Sequence, residues 1–324
     1  MCGIIGILGK HEAAPILVEA LKRLEYRGYD SSGIATVKDD GSIDRRRAVG
    51  KLLELQDKLV FEPLKGKAGI GHTRWATHGE PNEKNAHPHT RGAVSVVHNG
   101  IIENFLTLRE ELKCDGYKAE TDTDSETIAI LCSKFIDEGH EPLVAARKTL
   151  SKLTGSFAIA MLFEGHKNLI FAARSGSPLA VGYGKNEMYL GSDALALLPL
   201  TKKVAYLEEG DHAVLTREGA EIYDIKGSSV SRQITYLNQN INFHDKSGFS
   251  HFMEKEIHEQ PIALERAISS YLSDGTGKPT FNLLKNINFM EVSRIILVAC
   301  GTAYYACYVA KYWIEKLAKI PVEI

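Results

Sequence analysis

The apolar pattern predicts an α+β fold, with sheets stacked between helices, followed by the opening of a separate α/β unit. Two observations carry this expectation. After Ser156, apolar runs recur at close spacing over residues 157–163, 169–173, 179–182, 188–191, 204–207 and 213–216. Turns such as Glu164-Gly165 and Arg174-Ser175-Gly176 separate them, which favours antiparallel pairing. Ahead of them, strands and amphipathic helices alternate, and a sheet flanked by helical stretches must bury its faces against further layers.

The chain opens on Cys2-Gly3-Ile4-Ile5-Gly6-Ile7-Leu8, an apolar run closed by Gly9 that reads as a short buried strand. Over residues 12–25, Ile16, Leu17, Ala20, Leu21 and Leu24 recur at helical spacing, and the helix ends before Gly28. Residues 33–37, 69–75 and 94–99 read as strands, the last two running into polar, glycine-containing turns. Residues 125–137 read as a helix with Ile128, Leu131, Cys132, Phe135 and Ile136 on its apolar side, Asp124 at its N-cap and Gly139 beyond its end.

Residues 226–250 are polar and lack periodicity, so a linker is expected there. A helix-rich stretch over 251–272 is interrupted by Pro261. Residues 294–299 form an apolar run that feeds Cys300-Gly301-Thr302-Ala303 and a helix over 304–317, the strand–loop–helix opening of an α/β unit. A lone βα unit cannot bury both faces of its sheet, so this second domain reads as truncated. The expected organisation is a domain over 2–225, a linker over 226–250 and a truncated unit over 251–324.

Composition narrows the function classes. The chain has 324 residues, 44% hydrophobic and 25% charged, the profile of a globular protein able to bury a core without staples. A net charge of −2 gives no steering toward nucleic acid or an anionic membrane, and neither is expected as a partner. Cys2, Cys114, Cys132, Cys300 and Cys307 are odd in number and lack CxxC spacing, so free thiols in a reducing cytoplasm are expected. No apolar run approaches the ~20 residues that span a bilayer.

Four segments carry chemistry. Cys2 follows Met1 and precedes Gly3; trimming of Met1 would place a thiol and an α-amine on one residue. The amine titrates near 8 and the thiol near 8.5, so the amine can serve as base to the sulfur. Gly71-His72-Thr73-Arg74-Trp75-Ala76-Thr77-His78-Gly79 leaves a strand carrying a guanidinium that can grip a carboxylate with two parallel bonds. His98-Asn99-Gly100 sets a side-chain amide beside a flexible backbone N–H, a pair suited to an oxyanion hole, although a tight Asn-Gly turn uses the same residues. Thr121-Asp122-Thr123-Asp124-Ser125-Glu126 precedes a helix and can cap it, bind a ligand, or both.

Together with Tyr26-Arg27-Gly28-Tyr29-Asp30-Ser31-Ser32-Gly33, these segments resemble, in order, the class II glutamine amidotransferases over residues 2 to about 225. The resemblance implies a four-layer αββα N-terminal-nucleophile hydrolase fold acting on L-glutamine. It implies Cys2 as nucleophile with its free amine as base, and Asn99 with the Gly100 N–H as oxyanion hole. Arg74, Thr77 and His78 would hold the substrate's α-carboxylate and Asp124 its α-ammonium; Trp75 would gate the ammonia route, and Arg27 and Gly28 would support the nucleophile. No metal or cofactor is implied. Phe249-Ser250-His251-Phe252-Met253-Glu254-Lys255-Glu256-Ile257-His258-Glu259-Gln260-Pro261 and the Ala299-Cys300-Gly301-Thr302 strand end are similar to the amino-sugar-forming members. There a sugar-isomerase domain follows and fructose 6-phosphate accepts the ammonia, in a homodimer. Gly301, Thr302 and Ala303 would begin its phosphate loop, with Ala303 where the family often has Ser. As it stands, the chain is expected to hydrolyse glutamine without making the amino sugar.

Other readings stay open at this point. Amidophosphoribosyltransferase shares such a front half. A metal-dependent hydrolase could draw on His72, His78, His87, His89 and His98, although no HExxH spacing accompanies them. A glutamine or redox sensor could use Cys2 as a reactive thiol.

Overall fold

The structure is a computed structural model that describes residues 2–237, 248–271 and 288–324. It divides into two compact units, Met1–Asp245 and Lys246–Ile324.

The first unit runs β1 (Gly3–Leu8), α1 (Ala13–Lys22), β2 (Ser31–Val37), β3 (Ile43–Val49), α2 (Leu52–Phe61), β4 (Ala68–Arg74), β5 (His89–Arg91) and β6 (Val94–Ile102). Three helices follow: α3 (Phe105–Cys114), α4 (Asp124–Asp137) and α5 (Pro142–Leu150). Then come β7 (Gly155–Phe163), β8 (Ile170–Ser175), β9 (Ala180–Tyr183), β10 (Met188–Gly191), α6 (Ala194–Leu197), β11 (Lys203–Tyr206), β12 (His212–Thr216), β13 (Gly219–Tyr223), β14 (Ser229–Val230) and β15 (Ile234–Tyr236).

Eight strands form one sheet, in the order β15-β11-β9-β10-β1-β4-β2-β3, and seven form the other, in the order β14-β13-β12-β8-β7-β6-β5. The recorded pairings within both are antiparallel, as the short turns predict. Three apolar clusters mark the three interfaces between four layers. Successive side chains of a strand point to opposite faces, so Ile4 and Leu8 of β1 enter the cluster between the sheets with Val97, Ala160 and Ile170. Ile5 and Ile7 enter the outer cluster with Leu17 and Leu21 of α1 and Leu52 and Leu55 of α2. On the far side, Ile159, Met161 and Phe163 of β7 pack against Ile128 and Cys132 of α4 and Ala145 and Ala146 of α5. Because both faces of β1 are covered, its sequence is apolar throughout rather than alternating. The expected four-layer αββα sandwich is the observed fold.

Some elements differ from expectation. β3 carries Arg45-Arg46-Arg47 and gives no apolar signal; it is the edge strand of its sheet, where charge is tolerated. Residues expected as linker contribute β14 and β15 to the two sheets, pairing with β13 and β11. Arg232 between them grips buried Asp211 at 2.7 and 2.8 Å. Short edge strands need little apolar content, which is why the segment reads as polar. Residues 238–247 of the expected linker lie outside the described residues.

In the second unit, α7 (Phe252–Tyr271) continues through Pro261 instead of breaking there. β16 (Ile295–Ile296) pairs in parallel with β17 (Val322–Glu323) on either side of α8 (Gly301–Ala318), so the expected strand and helix, the strand shorter than expected, are joined by a second strand in βαβ order. The helix begins at Gly301 rather than at Tyr304, with Cys300 as its N-cap.

Candidate active site

The register of β1 on β4 sets Gly3 opposite Thr73, so Cys2 lies beside the exit of β4. There the Trp75 N–H donates to Cys2 Sγ at 3.2 Å. The Cys2 carbonyl accepts from Asn99 Nδ2 at 3.3 Å and from Arg27 Nη1 at 3.4 Å. Arg27 is itself anchored through Nη2 to Asp193 at 2.9 Å, with both side chains largely buried. Burial pushes the Cys2 thiol up, and the Trp75 N–H and the Arg74 charge oppose it.

Gly28 closes the short turn after Arg27 at φ 74°, where a Cβ would meet the Trp75 ring at 3.3 Å. Gly100 has φ 118°, and a Cβ there would lie 2.0 Å from the Ser156 carbonyl oxygen, so only glycine lets β6 continue beside β7.

Arg74 ends β4 and is 4% exposed. Its guanidinium donates to the carbonyls of His78, Gly79 (3.2 Å) and Glu80 (3.3 Å), folding the 75–80 loop around the cation. The Asp30 carboxylate lies 3.9 Å away and accepts the Ala76 N–H. Part of the fork expected to face a ligand is thus occupied in holding this loop, which also carries Thr77 and His78. The His78 ring packs edge-on against Phe105 at 5.6 Å.

Asp124 is the first residue of α4, and Thr123 takes the N-cap position assigned to it from sequence. Buried to 3% exposure, the Asp124 carboxylate accepts the Ile102 N–H at 2.8 Å. Thr123 does not cap through its side chain; its hydroxyl bonds His89 Nε2 at 3.0 Å, and the loop is held by Glu126, which accepts the N–H groups of Glu120 and Thr121.

These groups meet at one cavity of about 530 Å³, lined by Cys2, Arg27, Arg74, Trp75, Thr77, His78, Asn99, Gly100 and Asp124 together with His87, His98, Ile101, Thr123, Ser125, Ser177 and Pro178. Every residue that the resemblance assigned to the glutamine site lines it except Gly28, which lies under Trp75. A thiol, an amide, a cation and a carboxylate on one concave surface match a small zwitterion carrying an electrophilic carbon. Gly301, Thr302 and Ala303 are exposed in the first turn of α8, in the other unit.

Sequence reasoning gave no role to Asp193, Ser177 or Pro178. No local signal marks Asp193, which stands 166 residues from its partner Arg27. The histidines grouped as possible metal ligands instead hydrogen-bond and stack. His72 and His87 lie face to face at 4.0 Å and 14°, and His98 Nδ1 bonds Ser125 Oγ at 2.8 Å. Among the described residues no group of three or more His, Cys, Asp or Glu side chains is arranged to hold a metal ion. Among them, too, no helix is long and apolar enough to cross a membrane.

A family described as "Glutamine amidotransferase domain" matches residues 72–199. Over its whole length the chain is 54% identical to a glutamine--fructose-6-phosphate aminotransferase [isomerizing] of Brucella suis biovar 1 and 51% identical to one of Zymomonas mobilis subsp. mobilis. It spans 53% of each, about half the length of the curated relatives it matches. Among solved structures, an allosteric regulatory enzyme of purine biosynthesis matches with TM-score 0.58 and 26% identity over 74% of this chain and 50% of that one. A glutamine phosphoribosylpyrophosphate amidotransferase from B. subtilis matches with TM-score 0.61 and 20% identity, over 100% of this chain and 65% of its own, a likeness of fold alone.

Proposed function

We propose that the chain, whose residues 72–199 match a glutamine amidotransferase domain, hydrolyses L-glutamine to glutamate and ammonia with Cys2 as the nucleophile of an N-terminal-nucleophile hydrolase fold. In a protein of its relatives' length, the ammonia would convert fructose 6-phosphate to glucosamine 6-phosphate.

With Met1 removed, the Cys2 amine takes the thiol proton as sulfur attacks the side-chain amide carbon of glutamine. The carbonyl π electrons move to oxygen, and Asn99 Nδ2 and the Gly100 N–H receive the oxyanion; each such donor is worth roughly 2.7–4 kcal/mol. Collapse breaks the C–N bond, and the protonated amine hands its proton to the departing nitrogen, releasing ammonia. Water, deprotonated by the same amine, then cleaves the thioester and regenerates the thiol.

Arg74, Thr77 and His78 hold the α-carboxylate and Asp124 the α-ammonium, so a ligand lacking either charge forfeits one of two charged contacts. Trp75, 54% exposed over Gly28, is suited to gate the ammonia route. Gly301, Thr302 and Ala303 would offer backbone N–H groups to a sugar phosphate in a completed isomerase domain. Homodimer assembly and a cytoplasmic setting belong to the same proposal. High identity to fructose-6-phosphate aminotransferases favours this acceptor over that of the phosphoribosylpyrophosphate amidotransferase, whose likeness at 20% is of fold alone.

One observation carries the proposal: Cys2, Arg74, Asn99 and Asp124, drawn from separate elements, face a single cavity. The test incubates the chain with glutamine and assays glutamate and ammonia, alongside intact-mass measurement before and after a glutamine-analogue electrophile. Turnover with a single adduct on Cys2 of the trimmed chain is the expected result; turnover with Met1 retained would defeat it.

A further inference from the structure

Behind the cavity, His72 of β4 is fully buried, with Nε2 3.0 Å from the His98 carbonyl oxygen and 2.9 Å from the Asn99 side-chain oxygen. A carbonyl only accepts hydrogen bonds, so this ring nitrogen carries a proton. The Asn99 atom facing it must therefore be the amide oxygen, which turns Nδ2 away, onto the Cys2 carbonyl at 3.3 Å and into the cavity lining. His72 Nδ1 is buried with no hydrogen-bond partner among the described residues, an arrangement that suits a bare lone pair and would orphan a second N–H. The ring is thus the neutral Nε2–H tautomer. Its plane is set by His87, stacked at 4.0 Å, whose own Nδ1 accepts the His98 N–H at 3.2 Å.

We propose that His72 is the positioning residue of the oxyanion hole: its Nε2–H holds Asn99 Oδ1 so that the amide nitrogen stays aimed at the charge that develops beside Cys2. The inference rests on the reading of Asn99 as an oxyanion donor. Without this hold the amide can rotate and present its oxygen, which repels an oxyanion. The loss then falls on the transition state, and so on kcat rather than KM. Burial also pulls the His72 pKa down to about 3, so the hold persists unchanged through the neutral range.

The test is a double-mutant cycle on glutamine hydrolysis by the whole chain, with folding checked by thermal melting. His72→Phe should lower kcat about tenfold to a hundredfold, short of the ~10²–10³ expected for outright loss of a donor, and leave KM within about twofold. His72→Gln, whose amide can donate in place of the ring, should recover part of the loss. In an Asn99→Ala background either change should alter kcat by less than about twofold, because the group being positioned is gone. Effects that multiply in the double variants, or a loss confined to KM, would overturn the proposal. Should His72→Phe fail to fold, His72→Gln carries the cycle by itself. Absence of ammonia release from the wild-type chain would instead overturn the glutaminase reading beneath it, a result distinct from multiplying effects.

Discussion

The Trp75 backbone N–H meets Cys2 Sγ at 3.2 Å, so the sulfur is held by a residue 73 positions further along the chain. That donor favours the thiolate, whereas burial favours the thiol and prevails. A sulfur kept protonated at rest needs a base at the moment of attack, and no histidine hydrogen-bonds to it among the described residues.

Cys2→Ser should therefore lower glutamine turnover by about 10³-fold or more, the scale on which loss of a nucleophile is felt. Fold and glutamine binding should be kept, because serine preserves the size of the side chain. Ammonia release and calorimetric binding check the two halves separately; a variant retaining most of its turnover would refute the assignment.

Arg74 both lines the cavity and ties the 75–80 loop. Hydrogen bonds to charged groups contribute about 1.5–3 kcal/mol, so Arg74→Ala should weaken glutamine binding by roughly 10- to 150-fold. Arg74→Lys should recover only part, since a point charge cannot reproduce the planar fork. KM and direct binding are the readouts, and unchanged affinity in Arg74→Ala would remove Arg74 from the substrate site.

Acid should destabilise the first unit through its buried histidines. Burial pulls His72 to about 3 and His98 to about 4, and lowers His87 and His89 as well. In the unfolded chain these rings titrate near 6.5, so below that pH the unfolded state binds protons that the folded state refuses. The stabilisation is complete above about pH 6.5 and drains away as the pH falls toward 3–4. Melting temperature should be flat from pH 7 to 8 and fall steadily from pH 6 to 4.5. His98→Gln should flatten that slope; an unchanged slope would assign the acid sensitivity to other groups.

Arg232→Ala should expose the cost of leaving the Asp211 carboxylate, fully buried, without its bidentate partner. Removing one partner of a buried hydrogen-bonded group costs about 1–3 kcal/mol. For a unit of this size that lowers Tm by roughly 2–12 °C. A melt within about 1 °C of wild type would show that the 229–236 segment adds nothing to the fold.

Much of the architecture was legible because it rests on local chemistry. β1, β7 and α4 announce themselves by apolar runs or helical spacing, since each is covered by neighbouring layers. β3 and β15 did not, because edge strands need no apolar face, and their membership depends on what lies beside them. At the site, Cys2, Arg74, Asn99 and Asp124 were legible as residue types at strand and helix ends. Asp193 was not, because its partner Arg27 is distant in sequence and no motif surrounds it.

The sequence by itself determined the covered strands such as β1 and β7, the helices α1 and α4, the glycines that permit tight approach, and the inventory of reactive groups. Those follow from periodicity and from the chemistry of neighbouring residues. Only the tertiary structure decided which way the Asn99 amide faces, that His72 carries its proton on Nε2, and that both terminal nitrogens of Arg74 donate to its own loop. Each depends on atoms that strand register and sheet stacking bring within about 3 Å across long stretches of chain, a distance no local pattern encodes.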